Sequence, residues 1–545
     1  MSEEFAFDVF LSYSARNKQL VREIAERLKS DDVRVWFDED QLSVGDNILF
    51  KIEEGLERSR VLVLCMSADA FGAEWPHLEA GTFRFRDPLN KNRRFIPLRL
   101  DDAPIKGTLT QFAYINWRSE NLEQEYRKLL AACRAETNWS AKRQRICMIS
   151  SEFPPNIFGG LGVHVTSLSR AIAADADLDL VLPHRREGYA PPPAGANVRA
   201  LSRVEANYDD PISWVHFAQH ATALIERIQP KPEVIHCHDW VTVLAGVACR
   251  YRLKIPLLYH VHLPNRTPFC SSVENLGLMC ADLVTVNSQA MAEQVKDRFP
   301  NKRIAVVPNG VDTTLFKPVD ETAHSPPYVL FVGRLVEQKG VDHLLRAFVH
   351  VLKRFPDLEL KIVGKGPCEA AYQRLADCLL LNGHVKFLGW KVGEELRDLY
   401  QSAAVAAVPS VYEPFGMTAL EAMACGCSVV ASDTGGLKEL VRHQETGCLA
   451  EPGDHLDLAQ WIIRLLHSSH ERRTLGRQAA RFVQAGDYQW SSIARQYLAF
   501  YHKLSCEQLD LRIAPEARNF VWQIRELAGR LDFGSLSAFN AIIDW

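Results

Sequence analysis

Short apolar runs alternate with helical patterns through most of the chain, and this alternation constrains the fold more than any other feature. FDVFLSY, VRVWF, RVLVLCM and RFIPLRL are strand candidates between residues 5 and 133. After the first of them, LVREIAERLKS places Leu20, Val21, Ile24 and Leu28 on one helical face. A second series begins at RICMISSEFPP and runs through LDLVLP, PEVIHC, PLLYHVH and DLVTVNS. A third reads YVLFVGR, ELKIVG, VKFLG, VAAVPS and SVVAS. Such alternation predicts α/β domains, each a parallel sheet with helices on both faces. Two consecutive units of this kind joined by a hinge make a cleft, and open parallel sheets bind ligands at the carboxyl ends of their strands. The expected divisions are 1–135, a linker at 136–144, 145–320, 321–485, and a helical C-terminal segment at 486–545. PVDETAHSPP (318–327) is the expected hinge.

Charge and composition narrow the partners. Sixty-three basic and 67 acidic residues give a net charge of −4, which argues against a broad nucleic-acid surface or a polybasic membrane patch. No apolar run approaches the roughly 20 residues of a membrane helix. The start, MSEEFAFDVF, is acidic and has no long apolar core, so no signal peptide is expected. The 13 cysteines lack paired C-x-x-C spacing and read as reduced thiols, which makes a cytoplasmic location the expectation.

EPFGMTALE (413–421) lies between a buried strand, VAAVPS, and an apolar helix pattern. A helix start presents free N–H groups and partial positive charge, which suits a phosphate. Gly416 lets the backbone come close. With a diphosphate over Gly416, Met417 and Thr418, Glu413 would face a sugar ring and Glu421 would accept two ribose hydroxyls. Taken alone, the nonamer also reads as a loop charge and a first-turn acid that complements the helix dipole.

With its neighbours, the stretch resembles the E-x7-E signature of retaining glycosyltransferases of the GT-B fold, the group containing glycogen, starch and sucrose synthases. The resemblance covers about 145–500. SEFPPNIFGGLGVHV is similar to the glycine-rich loop of glycogen synthases, which implies that Gly159 and Gly160 lie near the donor phosphates. HCHDW resembles the family's H-x-HDW strand end, with Asp239 toward the sugar, and VPNGVD (307–312) its interdomain motif. GRLVEQKG matches the phosphate-binding motif and implies Arg334 and Lys339 as the groups that stabilise the leaving diphosphate. His262 matches the family histidine that approaches the donor sugar, with His260 as its rival on the same strand face. CGCSVVASDTGGLKELV continues the pattern. GKGP (364–367) lacks the P-loop spacing and reads as a tight turn near the nucleotide. The implied fold is GT-B, two Rossmann-like domains. The implied reaction takes a nucleotide sugar (an ADP- or UDP-hexose) to a glycan-like acceptor with retention of anomeric configuration, and Glu413 orients rather than attacks.

No metal and no tightly bound cofactor are expected. Asp175, Asp177 and Asp179 flank a strand where turn and solvation roles suit them. Asp38 and Asp40 lie in the first domain. The two histidines of HCH (236–238) share a strand face without an evident third ligand.

FDVFLSYSARN, VWFDEDQLSVGDNI and EWPHLEAGTF resemble, in order and spacing, the three boxes of Toll/interleukin-1 receptor (TIR) domains, with a flavodoxin-like fold. Some such domains assemble through the loop spelled DQLSVGDN here. Others cleave NAD with one glutamate, and Glu79, four residues after Trp75 on one helix face, matches it. Arg16 and Asp38 are expected to line the same pocket. The resemblance implies two activities in one chain, a glycosyltransferase and a TIR domain that hydrolyses NAD, self-associates and serves signal transduction, with antiphage defence suggested by analogy of architecture. The alternative is an assembly module joined to a domain that senses a nucleotide sugar without turnover.

Overall fold

The amphipathic pattern after the first strand forms the helix Lys18–Ser30, which buries Val21, Ile24, Ala25 and Leu28 and leaves Leu20 part-covered. The structure, a computed structural model, describes residues 7–37, 58–68, 95–103, 114–118, 121–134, 143–208, 210–264, 267–319, 327–512 and 517. The chain divides into two units, Met1–Lys142 and Arg143–Trp545.

In the first unit β1 (Phe7–Ser12), β2 (Val35–Trp36), β3 (Ser59–Met66), β4 (Phe95–Arg99) and β5 (Ile115–Asn116) form a parallel sheet in the order β2-β1-β3-β4-β5, the flavodoxin-like arrangement. β3 is buried along almost its whole length, as a central parallel strand must be. Asp8 fastens β1 to the start of β2 by accepting from the main-chain N–H and the guanidinium of Arg34.

The second unit holds two lobes. The first carries β6 (Gln144–Ile149), β7 (Ala176–His184), β8 (Ala196–Glu205), β9 (Val234–His238), β10 (Leu257–Val261), β11 (Leu283–Val286) and β12 (Ile304–Val306), in the order β12-β11-β10-β9-β6-β7-β8. The second carries β13 (Tyr328–Val332), β14 (Glu359–Val363), β15 (Val385–Gly389), β16 (Val405–Val408), β17 (Val429–Ser432) and β18 (Cys448–Ala450), in the order β15-β14-β13-β16-β17-β18. Both sheets are parallel. The order reverses between β6 and β9 in one lobe and between β13 and β16 in the other. These two crevices are the positions where such sheets take ligands.

The last described helix, Trp490–Cys506, returns to the first lobe. Ile493, Ala494, Tyr497, Tyr501 and Leu504 complete a core with Ile146, Met148 and Leu258. Gly310 of VPNGVD allows this crossover, because a methyl group there would stand 2.6 Å from the Trp490 ring. A second tie joins the lobes. Glu439 of the second lobe accepts from the N–H groups of Gln289 and Ala290 (2.8 and 2.7 Å), capping the helix Gln289–Arg298 of the first.

Candidate functional site

Strand ends decide where the charged groups go. The loop after β13 carries Arg334 and the 3-10 turn Glu337–Lys339, and the loop after β16 carries Ser410 and Glu413. Lys339 Nζ donates to Glu413 Oε2 at 2.5 Å, and Ser410 Oγ donates to the same oxygen at 3.0 Å. Glu413 is only 7% exposed, so this pairing offsets the cost of burying its charge. The two loops are dovetailed. Gly340 has φ +66, and a methyl group there would lie 2.0 Å from the Pro409 oxygen. Gly435, at φ +50, approaches the Glu413 oxygen as closely, while the Gly436 N–H donates to it at 2.9 Å. Arg334 is exposed beside these groups. The GKGP turn supports its loop from below: Leu335 N–H donates to the Lys365 oxygen at 3.0 Å, and Gly364 (φ +140) abuts the Gly333 oxygen.

Gly416, in the left-handed region at φ 107, starts the helix Met417–Ala424. Met417 and Thr418 are part-exposed at its N-terminus. A methyl group at Gly160 of the first lobe would sit 3.2 Å from Met417 Sδ, so the glycine-rich loop and this helix start face each other across the cleft. Gly159 has open space around it and caps the helix Gly160–Ala173 in extended conformation. One turn along the other helix, Glu421 accepts from Tyr400 OH at 3.0 Å, and burial pushes its carboxyl up to about 7.

In the first lobe, Glu152 follows β6 and is 5% exposed. It accepts from the N–H groups of Phe158 (2.9 Å) and Gly162 (3.2 Å), which folds the glycine-rich loop around its carboxylate. Burial nevertheless raises its pKa. The sequence reading missed this residue, whose only signal was an acid just before the loop it holds. Asp239 follows β9 with a left-handed φ of 62 and caps the helix Trp240–Arg252. Such strain in a non-glycine residue concentrates at functional sites. Burial, with Glu274 and Glu152 nearby, pushes its carboxyl up to about 8. His262, at the end of β10, is 8% exposed, whereas His260 is fully enclosed by Thr285 (2.9 Å) and Tyr497 (2.7 Å). Of the two, His262 therefore faces the cleft.

The structure brings Arg334, Lys339, Glu413, Gly416, Met417, Thr418 and Glu421 together in one lobe. It places Gly159, Gly160, Asp239 and His262 at the strand ends of the other. Glu79, Trp75, Asp38 and Asp40 lie outside the described residues, as do the loop DQLSVGDN and residues 320–326 of the expected hinge. Arg16 is exposed in a 3-10 turn directly after β1, at the carboxyl edge of its sheet. Asp177 and Asp179 are paired with Arg143 (2.8 Å) and Arg199 (2.6 Å), and Asp175 is exposed. The pair of histidines on β9 does gain company that the sequence reading did not find. His164 and His262 stand with His238, one ring nitrogen of each within 4.8 Å of the others. No described helix is long and apolar enough to cross a membrane.

Comparison with known proteins agrees with this geometry. The family described as "TIR domain" matches residues 9–130, "Glycosyltransferase Family 4" matches 158–315, and "Glycosyl transferases group 1" matches 312–482. An uncharacterised glycosyltransferase of Methanocaldococcus jannaschii is 30% identical over 398 residues, covering 67% of this chain and 99% of that protein. The alpha-maltose-1-phosphate synthase of Mycolicibacterium smegmatis is 31% identical over 408 residues, covering 66% of this chain and all of that protein (100%). Among solved structures, sucrose-phosphate synthase from Thermosynechococcus elongatus superposes with a TM-score of 0.61 at 28% identity, over 66% of this chain and 99% of that one. The chain belongs to the group 1 glycosyltransferases of GT-B fold and carries a TIR domain ahead of its glycosyltransferase part.

Proposed function

We propose that the glycosyltransferase part moves a hexosyl group from an ADP- or UDP-hexose to a glycan-like acceptor with retention of configuration, and that the TIR domain hydrolyses NAD. One observation carries the first half. The loops after β13 and β16 bring a lysine–glutamate pair to the start of the helix Met417–Ala424, facing the glycine-rich loop. The donor diphosphate lies over Met417 and Thr418, with Arg334 and Lys339 beside it. As the C1–oxygen bond breaks, negative charge gathers on the diphosphate, where cations and helix N–H groups meet it. Glu413, whose Oε2 is held by Lys339 and Ser410, is assigned the role of orienting the sugar. The acceptor hydroxyl attacks on the leaving-group side, from the cleft wall lined by Asp239 and His262. The names of two similar proteins, synthases of maltose 1-phosphate and sucrose phosphate, support a sugar donor. The second half rests on Glu79 and Trp75 within the matched TIR domain, with copies assembling through that domain in the cytoplasm as a signalling or defence effector.

The test incubates purified protein separately with NAD and with a panel of nucleotide sugars. Glu79→Ala is expected to abolish NAD loss alone, and Glu413→Ala sugar transfer or donor hydrolysis alone. Intact NAD with clustered wild-type protein makes the TIR domain an assembly module. Donor binding without turnover makes the second part a sensor.

Glu421 adds a pH dependence. Its carboxylate accepts both ribose hydroxyls with full charge, whereas the protonated acid turns one of its oxygens into a donor, and the carboxylate form is lost as pH falls through about 7. Donor KM is therefore expected to rise by up to about tenfold per pH unit below that point. The Tyr400 hydrogen bond favours the carboxylate, so Tyr400→Phe should move the inflection to higher pH. A KM profile flat from pH 8 to 5 would remove Glu421 from the ribose.

A further inference from the structure

Five imidazoles meet beneath the first-lobe wall of the cleft. His164 comes from the helix Gly160–Ala173, His236 and His238 from β9, and His260 and His262 from the end of β10. Four are 0% exposed and His262 is 8% exposed. Ring centroids lie 4.8 Å apart for His164 and His262, 5.3 Å for His238 and His262, and 5.4 Å for His164 and His238. His236 and His260 stand behind this trio with their Nδ1 atoms on Tyr501 and Tyr497.

The trio is arranged differently. His164 Nδ1 donates to Asn309 Oδ1 at 2.8 Å. That bond fixes the tautomer and leaves the lone pair on Nε2, which is buried and has no hydrogen-bond partner among the described residues. His238 Nδ1 and His262 Nε2 share a hydrogen bond of 3.1 Å, close to the separation of two ligands on one ion, so a cation held by these two atoms takes the place of the proton between them, which moves to the other nitrogen of its ring. A ring nitrogen held by an outer carbonyl while its partner points inward is the usual arrangement around a metal-ligating histidine.

We propose that His164, His238 and His262 bind one divalent cation of the zinc class, with Asn309 as the outer partner that orients His164. Three imidazole nitrogens without a carboxylate suit zinc rather than magnesium or calcium. A tetrahedral site with bonds of about 2.1 Å sets its ligands roughly 3.4 Å apart, so the 4.8 Å trio needs a contraction of about 1.4 Å at its longest edge. The fourth position opens on the side of His262, the one ligand with any exposure. Coordination through His262 Nε2 leaves its main-chain carbonyl for the donor sugar. The ion would pin the helix behind the glycine-rich loop to the ends of β9 and β10, and so set the loop's height above the crevice.

The experiment uses the full chain, with the exposed thiols Cys378 and Cys506 changed to serine and metal removed by chelation, titrated with Co2+ alone. The expected result is one ion per chain with the visible bands of a tetrahedral nitrogen site, displaced by one equivalent of Zn2+. Asn309→Ala is expected to weaken binding about 10- to 100-fold, and His164→Gln to abolish the bands. Absence of a saturable single site in the parent protein overturns the proposal. So does unchanged affinity in Asn309→Ala, a variant that keeps all three ligands and decides the question even where His164→Gln fails to fold. The readout is optical, so a chain that transfers sugar yet binds no cation sinks this inference and leaves the transferase reading standing.

Discussion

Replacing Lys339 with alanine is expected to lower kcat/KM for sugar transfer by about 100- to 1,000-fold, the usual loss when one preorganised charge is removed from a developing anion. Two effects add here. The diphosphate loses a cation, and Glu413, 7% exposed, loses the ammonium 2.5 Å from its carboxylate. A buried charge left alone is destabilising in itself. The double change Lys339→Ala with Glu413→Gln isolates the second effect, because it removes the stranded charge along with its partner. The double variant is expected to regain the thermal stability lost in the single one. A Tm that stays low would show that the broken ion pair is not what destabilised Lys339→Ala. Lys339→Arg should rescue poorly, because a planar guanidinium does not fit where a compact ammonium sits between a carboxylate and the donor.

Gly435→Ala should be nearly as damaging, from farther away. The residue sits at φ +50 with its α-carbon facing the Glu413 oxygen, and the added methyl group would stand 2.1 Å from that atom. The left-handed backbone alone costs about 1–3 kcal/mol in a non-glycine residue, and the contact is with main chain, which cannot rotate aside. A fall in Tm of about 2–4 °C per kcal/mol is expected, together with loss of donor turnover because Glu413 must shift. Differential scanning calorimetry and donor hydrolysis on one preparation check both. A variant with unchanged Tm and full turnover would show that the TGG turn does not hold Glu413 in place.

Much of this site is legible in the residues because both crevices are built from strand ends, and strand ends are where short motifs survive as contiguous text. VAAVPS followed by EPFGMTALE reads as strand, loop and helix start, and becomes β16, the Glu413 loop and Met417–Ala424. The less legible parts have physical reasons. β8 was missed because ANVRALSRVE mixes charge into a sheet-edge strand. β12 and β18, also at sheet edges, span Ile304–Val306 and Cys448–Ala450, too short for a two-residue period to declare itself. Tyr400 and Glu152 act through contacts that only folding creates. The histidine group assembles from a helix and two strands, so no local spacing announces it.

The returning helix Trp490–Cys506 has a consequence for how the protein is made. Synthesis runs from the amino end, and a ribosome that has released every strand of the first lobe has not yet made the residues that close its core. Until Tyr497 and Tyr501 emerge, His260 has only the Thr285 hydroxyl of its own lobe, and the hydroxyl that His236 Nδ1 meets does not exist. The first lobe must therefore wait, half-finished, for the second to pass through the tunnel, so the two Rossmann-like halves mature as one object rather than in succession.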